Sequence, residues 1–236
     1  MTPRHHPSPN RDARPPGVAP DTLVLHYTGM RSAEAALARL RDPDARVSAH
    51  YVVDEDGTVF ALVPEPERAW HAGRSWWRGR SGLNDVSVGI EIVNPGHEWG
   101  YRPFPDAQMA AVVDLARGIV ARWAVPPWHV VAHSDIAPDR KEDPGELFDW
   151  RRLAAAGVGF WPEDEGAGAP GDEAEARALL AEIGYPLEPQ GASFAQALTA
   201  FQRRFRQERV DGLLDPGSIF RLRAATGLLR RLTAAS

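Results

Sequence analysis

The chain has 236 residues, 43% of them hydrophobic and 25% charged, the balance of an ordinary globular protein with room for one large domain or a medium and a small one. A formal net charge of −5 without a long basic stripe excludes nucleic acid as the default partner. No apolar run is long enough for a transmembrane helix, and zero cysteines exclude disulfides and thiolate ligands, so any metal site must draw on His, Asp or Glu.

Residues 1–20 are polar and proline-rich and are expected to be a flexible or extended lead-in. They carry neither the apolar core of a Sec signal nor a lipoprotein cysteine, so the expected compartment is the cytoplasm, with the cell envelope as the alternative. TLVLHY (22–27) reads as a buried strand ending in His26 and Tyr27. Ser32 is placed to cap a following helix, AEAALARLRD, with Glu34 in its first turn and Pro43 beyond its end. SAHYVVD and TVFALV flank Asp54-Glu55-Asp56-Gly57 and predict a β-hairpin.

Residues 64–85 lose periodicity but gather Trp70, His71, Trp76, Trp77 and arginines, which predicts a long functional loop. VSVGIEIVN (86–94) returns to strand with Glu91 set among Val and Ile. Between Pro105 and Ala124, apolar side chains at Met109, Val112, Val113, Ala116, Ile119, Val120 and Trp123 give the surest helix of the sequence. HVVAHS reads as another buried strand, and the loop His133–Asp143 follows, crowded with charge. Proline and that charge exclude a regular helix through it; a short helix near Trp150–Ala156 comes after. An acidic, Gly/Pro-rich linker spans 161–171, and beyond it three amphipathic segments predict a small helical domain over 172–230. The fold class is therefore α/β over 21–160, followed by that helical unit.

Side chains from separate strand ends converge in an α/β sheet, so His26, His133 and Asp143 could meet. Two histidines and a carboxylate with an open position form a hydrolytic zinc set. Taken singly, each histidine is more simply a hydrogen-bonded strand-end residue, and no HExxH helix is present.

LHYT, SAHYVVDEDGTV, WHAG (Trp70–Gly73), SVGIEIVN and HSDIAPDRKEDPG, in that order, resemble the zinc-dependent N-acetylmuramoyl-L-alanine amidases of the amidase/peptidoglycan-recognition-protein superfamily. The longer segment between WHAG and IEIVN makes the chain more similar to the outer-membrane-lipoprotein branch than to the compact cytosolic recycling amidase. The resemblance implies a central mixed sheet flanked by helices and one Zn2+ per chain held by His26, His133 and Asp143. It implies Glu91 as the group acting on water, Lys141 facing the scissile carbonyl, and peptidoglycan or muropeptide fragments as partners, in cell-wall turnover or recycling. His50, Trp70, His71 and Arg140 match positions around the substrate cleft, whereas Trp76, Trp77 and Trp99 suit sugar stacking and plain packing equally. FAQALTAFQRRF with VDGLLDPGSIFRL resembles a three-helix peptidoglycan-binding domain, Phe201, Phe205 and Leu213 being its expected core. The alternative is a muropeptide-recognition protein on the same fold that does not cut.

Overall fold

The computed structural model describes residues 2–162, 169–189 and 191–235. The N-terminal lead-in is extended and bonded: β1 (Arg4–His5) and β2 (Arg11–Ala13) each join a ladder. Hydrophobic periodicity does not register this segment because backbone pairing and Arg14 hold it. The Arg14 guanidinium is 9% exposed and donates to the carbonyls of Glu65, Asp85 and Ser87.

β3 (Thr22–Tyr27) is buried along five of its six residues. The Ser32 hydroxyl accepts the Ala35 N–H at 3.2 Å and starts α1 (Ala33–Arg41). β4 (Tyr51–Val53) and β5 (Val59–Ala61) form the antiparallel hairpin. Residues 64–85, read from sequence as one irregular loop, contain three short strands, β6 (Glu67–Ala69), β7 (Trp76–Trp77) and β8 (Arg80–Ser81). β6 pairs with β2 and β7 with β8, in ladders too short to leave a two-residue period. Next come β9 (Ser87–Ile92), α2 (Gly96–Trp99) and α3 (Asp106–Trp123). The last strand, β10 (Val130–Ala132), stops before His133, which opens a single helical turn, α4 (His133–Ile136); α5 (Trp150–Ala155) follows.

α6 (Glu173–Ile183), α7 (Phe194–Phe205) and α8 (Pro216–Ala234) form the helical C-terminal region, each begun by a side-chain cap from Asp172, Ser193 or Asp215. Phe201 and Phe205 are buried there, but Leu213, expected in that core, is 61% exposed: it lies in the turn before α8 and faces water. Within the expected linker 161–171, residues 163–168 lie outside the described residues. Among the described residues no helix is long and apolar enough to cross a membrane.

The main sheet has strand order β1-β5-β4-β9-β3-β10, with β4, β9, β3 and β10 parallel and β5 antiparallel to β4. It is the mixed sheet of an α/β fold. Leu23 and Leu25 of β3 and Ile90 and Ile92 of β9 pack under α3 through Met109, Val112, Ala116 and Ile119. On the other face, Val24 and Val131 join the core of α6–α8, while Val52 packs with α1 through Leu37 and Leu40. By alternation His26 and Glu91 point to this second face, into the gap between α1 and the C-terminal helices.

Candidate metal centre and active site

His26 and Glu91 are direct partners in the parallel ladder of β3 and β9, so their side chains leave the sheet side by side. His133 stands at the end of β10, on the other side of β3, and the loop after α4 brings Asp143 back, tied by the Ser134 N–H to the Asp143 carbonyl at 3.0 Å. All three predicted ligands are buried: His26 is 1%, His133 3% and Asp143 6% exposed.

Their polar atoms form a tight triangle. His26 Nδ1 lies 2.9 Å from His133 Nδ1, and Asp143 Oδ2 lies 3.0 Å from each. The surroundings decide which nitrogens carry protons. His133 Nε2 faces the Ala72 carbonyl at 3.2 Å; a carbonyl only accepts, so Nε2 is protonated and Nδ1 turns a lone pair inward. Behind His26 runs a longer relay. The Ser87 hydroxyl donates to the Leu83 carbonyl at 2.6 Å and so accepts from His71 Nε2 at 3.2 Å. His71 Nδ1 is then free to accept the His26 Nε2 proton at 3.0 Å, and His26 Nδ1 also faces the centre as a lone pair.

In the tautomers that Ala72 and Ser87 favour, two imidazole lone pairs and a carboxylate oxygen converge at about 3 Å, an arrangement suited to a bound cation. Among the described residues this is the one group of His and acidic side chains able to hold a metal. Burial, then the neighbouring His133, pushes His26 down to about 4, against the pull of Asp143. Burial alone would raise Asp143, but His133 and His26 hold it well below the usual carboxylate range. A neutral His26 and an ionised Asp143 are what a metal requires of such ligands.

The triangle lies against a cavity of about 340 Å³ whose wall includes Trp70, His71, Glu91, Arg140, Lys141 and Glu142. The Glu91 carboxyl has its Oε2 enclosed without a hydrogen-bond partner. Burial first, then the negative Asp143, raises its pKa well above the ordinary value, with Lys141 working the other way. Trp70 is fixed by its Nε1–H donating to Asp12 at 3.2 Å. The Arg140 guanidinium donates to the Ala72 carbonyl at 2.7 Å and reaches the Arg74 carbonyl, bracing the loop that carries His71. His71, matched by resemblance to a substrate contact, is 8% exposed and its ring nitrogens face His26 and Ser87.

His50 differs from the expectation of a cleft residue. It is fully buried and absent from the cavity wall; its ring accepts the Gly89 N–H at 2.9 Å and stands 3.1 Å from the Glu67 carbonyl, with the Arg14 guanidinium beside it. The N-terminal segment supplies the Arg14 that closes off this side. Trp77 is core, edge-on to Tyr185 at 5.2 Å, whereas Trp99 is 48% exposed with Arg31 over its ring at 4.5 Å. Sequence reasoning passed over Gly89. A Cβ there would come within 2.5 Å of the His71 ring, so the bare strand position is the space in which that ring sits. A glycine inside an otherwise β-branched strand was the available signal.

A buried His2Asp donor set beside a raised-pKa carboxyl, at the strand ends of a mixed sheet, defines a candidate metal centre of the hydrolytic kind. The profile of the N-acetylmuramoyl-L-alanine amidase family (Amidase_2) matches residues 16–146, and the chain belongs to that family. It is 40% identical over 216 residues to N-acetylmuramoyl-L-alanine amidase AmiD of Escherichia coli, covering 82% of this chain and 77% of that one. It is also 37% identical over 169 residues to 1,6-anhydro-N-acetylmuramyl-L-alanine amidase AmpD of Enterobacter cloacae, 64% of this chain and 88% of the relative. The E. coli AmiD structure with anhydro-N-acetylmuramic acid-L-Ala-D-gamma-Glu-L-Lys superposes with a TM-score of 0.79 at 37% identity, covering 92% of each chain. AMPDH3 from Pseudomonas aeruginosa with anhydromuramic pentapeptide gives 0.81 at 35% identity, covering 93% of this chain and 96% of that one. The chain is accordingly an N-acetylmuramoyl-L-alanine amidase of cell-wall turnover.

Proposed function

We propose that this amidase is zinc-dependent, with His26, His133 and Asp143 as ligands, and that it acts on muropeptides, including those with an anhydro-muramyl end. The observation that carries the metal is the convergence of His26 Nδ1, His133 Nδ1 and Asp143 Oδ2 within about 3 Å of one another. Two nitrogens and one oxygen suit zinc, which keeps an open position in such sets. When bound there, zinc supplies Lewis-acid polarisation of a carbonyl and lowers the pKa of water toward 7.

Protein groups do the rest. Glu91 takes a proton from the attacking water and delivers it to the nitrogen of L-alanine as the lactyl–alanine C–N bond breaks. The proton balance closes, because the Glu91 carboxylate that receives the water's proton becomes the acid that protonates the leaving amine. The Lys141 ammonium opposes the negative charge gathering on the carbonyl oxygen, a contribution of about 3 kcal/mol where one such donor is removed. Trp70 borders the cavity as an aromatic wall for the substrate, and Arg140 offers its charge to a stem-peptide carboxylate. Residues 21–160 form the catalytic unit, and 172–230 a peptidoglycan-binding-like unit whose helical core holds the buried Phe201 and Phe205.

The test is chromatography of a purified anhydro-muropeptide after incubation with the protein, with and without chelator. Free stem peptide that disappears on chelation and returns with zinc supports the proposal. Release unaffected by chelation removes zinc; cleavage within the stem makes the protein a peptidase; zinc binding without release favours a recognition protein.

A further inference from the structure

We infer that the C-terminal helices are part of the metal centre's support: Tyr185 and Arg204, gripping the fully buried Asp135, are positioning residues for His133. The inference rests on the zinc reading of the site given above.

Asp135 lies two residues past His133 in α4 and has no exposed surface. Its carboxylate accepts three hydrogen bonds. One comes from the end of β10, the N–H of Ala132 at 2.9 Å, in the residue before His133. The other two come from the C-terminal region: Arg204 Nη1 of α7 at 2.7 Å, and the Tyr185 hydroxyl, just beyond α6, at 2.7 Å. Arg204 is 2% and Tyr185 3% exposed, so the charge pair is closed off from water.

The remaining guanidinium nitrogens of Arg204, Nε and Nη2, make no hydrogen bond. They are held against aromatic faces instead, with Trp150 4.3 Å, Phe205 4.7 Å and Phe160 5.6 Å from the guanidinium carbon. Trp150 and Phe160 precede the linker and Phe205 follows it, so the arginine is clamped by both regions of the chain. Around this joint the packing is continuous: Val131, Ile136 and Ala137 share one core with Leu198, Phe201 and Phe205.

The geometry transmits directly to the ligand. One carboxylate oxygen of Asp135 holds both the Ala132 N–H and Arg204, so the Val131–Ala132 peptide, one residue ahead of His133, is oriented by a side chain that the C-terminal helices anchor. The Ser134 N–H, on the far side of His133, bonds the Asp143 carbonyl. Moving Asp135 would therefore tilt two of the three ligands together. Groups hydrogen-bonded directly to a metal ligand commonly govern affinity by about 10–100-fold; Asp135 acts one step further out, through the backbone beside His133, so a smaller loss is expected when its own partners are removed. An ion pair that only glued two regions together would alter stability and leave the affinity of folded protein untouched.

The experiment uses the full chain and three variants: Arg204→Met, Tyr185→Phe, and Leu229→Ala as a control that opens a cavity in α8. Zinc affinity is read by competition with a chromophoric chelator, under conditions where circular dichroism shows folded protein, and melting is followed separately without metal. The expected result is zinc binding weaker by more than about threefold in Arg204→Met and measurably weaker in Tyr185→Phe, with Leu229→Ala within twofold of the parent despite a lower melting temperature. Tyr185→Phe keeps the ring and the packing, so it carries the test should Arg204→Met not fold. Affinities within twofold of the parent in both joint variants overturn the inference, as does an equal loss in Leu229→Ala. A parent chain that takes up no zinc overturns the metal assignment itself and takes this inference with it.

Discussion

Glu91→Gln separates the fold from the chemistry more cleanly than any other change. Glu91 Oε2 has no hydrogen-bond partner, and burial already favours the uncharged carboxyl in the metal-free protein, so a neutral amide of the same shape breaks no bond. Stability is expected to move by no more than about 1 kcal/mol, or roughly 2–4 °C for a chain of this size. The rate is another matter. An amide cannot take a proton from water, and loss of a positioned base typically costs about 10²–10⁴-fold, which is roughly 3–5 kcal/mol of barrier. The assay is single-turnover release of stem peptide from an anhydro-muropeptide, beside zinc content per chain and a melting curve. The expected outcome is normal zinc, near-normal melting and a rate lower by at least about a hundredfold. A rate within threefold of the parent would take the proton-transfer role away from Glu91. Lost zinc in a folded variant would make it a ligand instead.

Lys141→Met should lower kcat by about a hundredfold with KM little changed, because the charge it opposes is largest at the transition state; a KM effect alone would make it a binding residue. His26→Ala should abolish stoichiometric zinc uptake while leaving a folded chain, read by metal analysis of the dialysed protein; retained tight zinc would refute the ligand assignment. Gly89→Ala should displace the His71 ring, whose Cγ an added Cβ would meet at 2.5 Å, and weaken zinc binding through His26; unchanged affinity would show that the relay is dispensable. Metal-free protein should lose stability as pH falls from about 6.5. Burial holds His26 at about 4, His50 at about 3 and His71 well below the ordinary 6.5, so the unfolded chain takes up protons that the folded one refuses. Glu91, raised, acts in the opposite sense above about 4.5 by keeping a proton that the unfolded chain releases. Three histidines against one carboxyl leave a net uptake of about two protons near pH 5–6, a slope of roughly 3 kcal/mol per pH unit in denaturant titrations. A flat profile there would mean that the histidines are solvated.

The candidate ligands His26, His133 and Asp143 were legible through the family motifs that carry them, since strand-end position alone reads each histidine more simply as a hydrogen-bonded residue. Glu91 stood out as a carboxylate inside a run of Val and Ile, and the caps and apolar stripes gave α1 and α3. What remained hidden depends on contacts between distant segments. His50 reads like its neighbours until Arg14, 36 residues earlier, is seen beside it. Asp135 looks like one more acid in a polar loop, and only folding brings Arg204 to it across 69 residues. The Arg68 and Trp70 links to Asp12 that order the 64–85 stretch are likewise invisible to periodicity. Leu213 shows the reverse failure: an apolar residue in a helical pattern that ends in water.

The register between β3 and β9 has a consequence for how this catalyst can vary. His26 and Glu91 are ladder partners, so the separation of the proposed metal ligand from the proposed base is an interstrand distance of about 4.8 Å, a dimension of the backbone rather than of any loop. Insertions between WHAG and IEIVN, or changes in the cavity rim, can reshape what enters without stretching that interval. The only local move that alters it is a one-residue slip, and a slip would turn Glu91 to the α3 face, into a core with no place for a carboxylate. Substrate range can drift in such a protein while its reactive spacing stays locked to the pitch of the sheet.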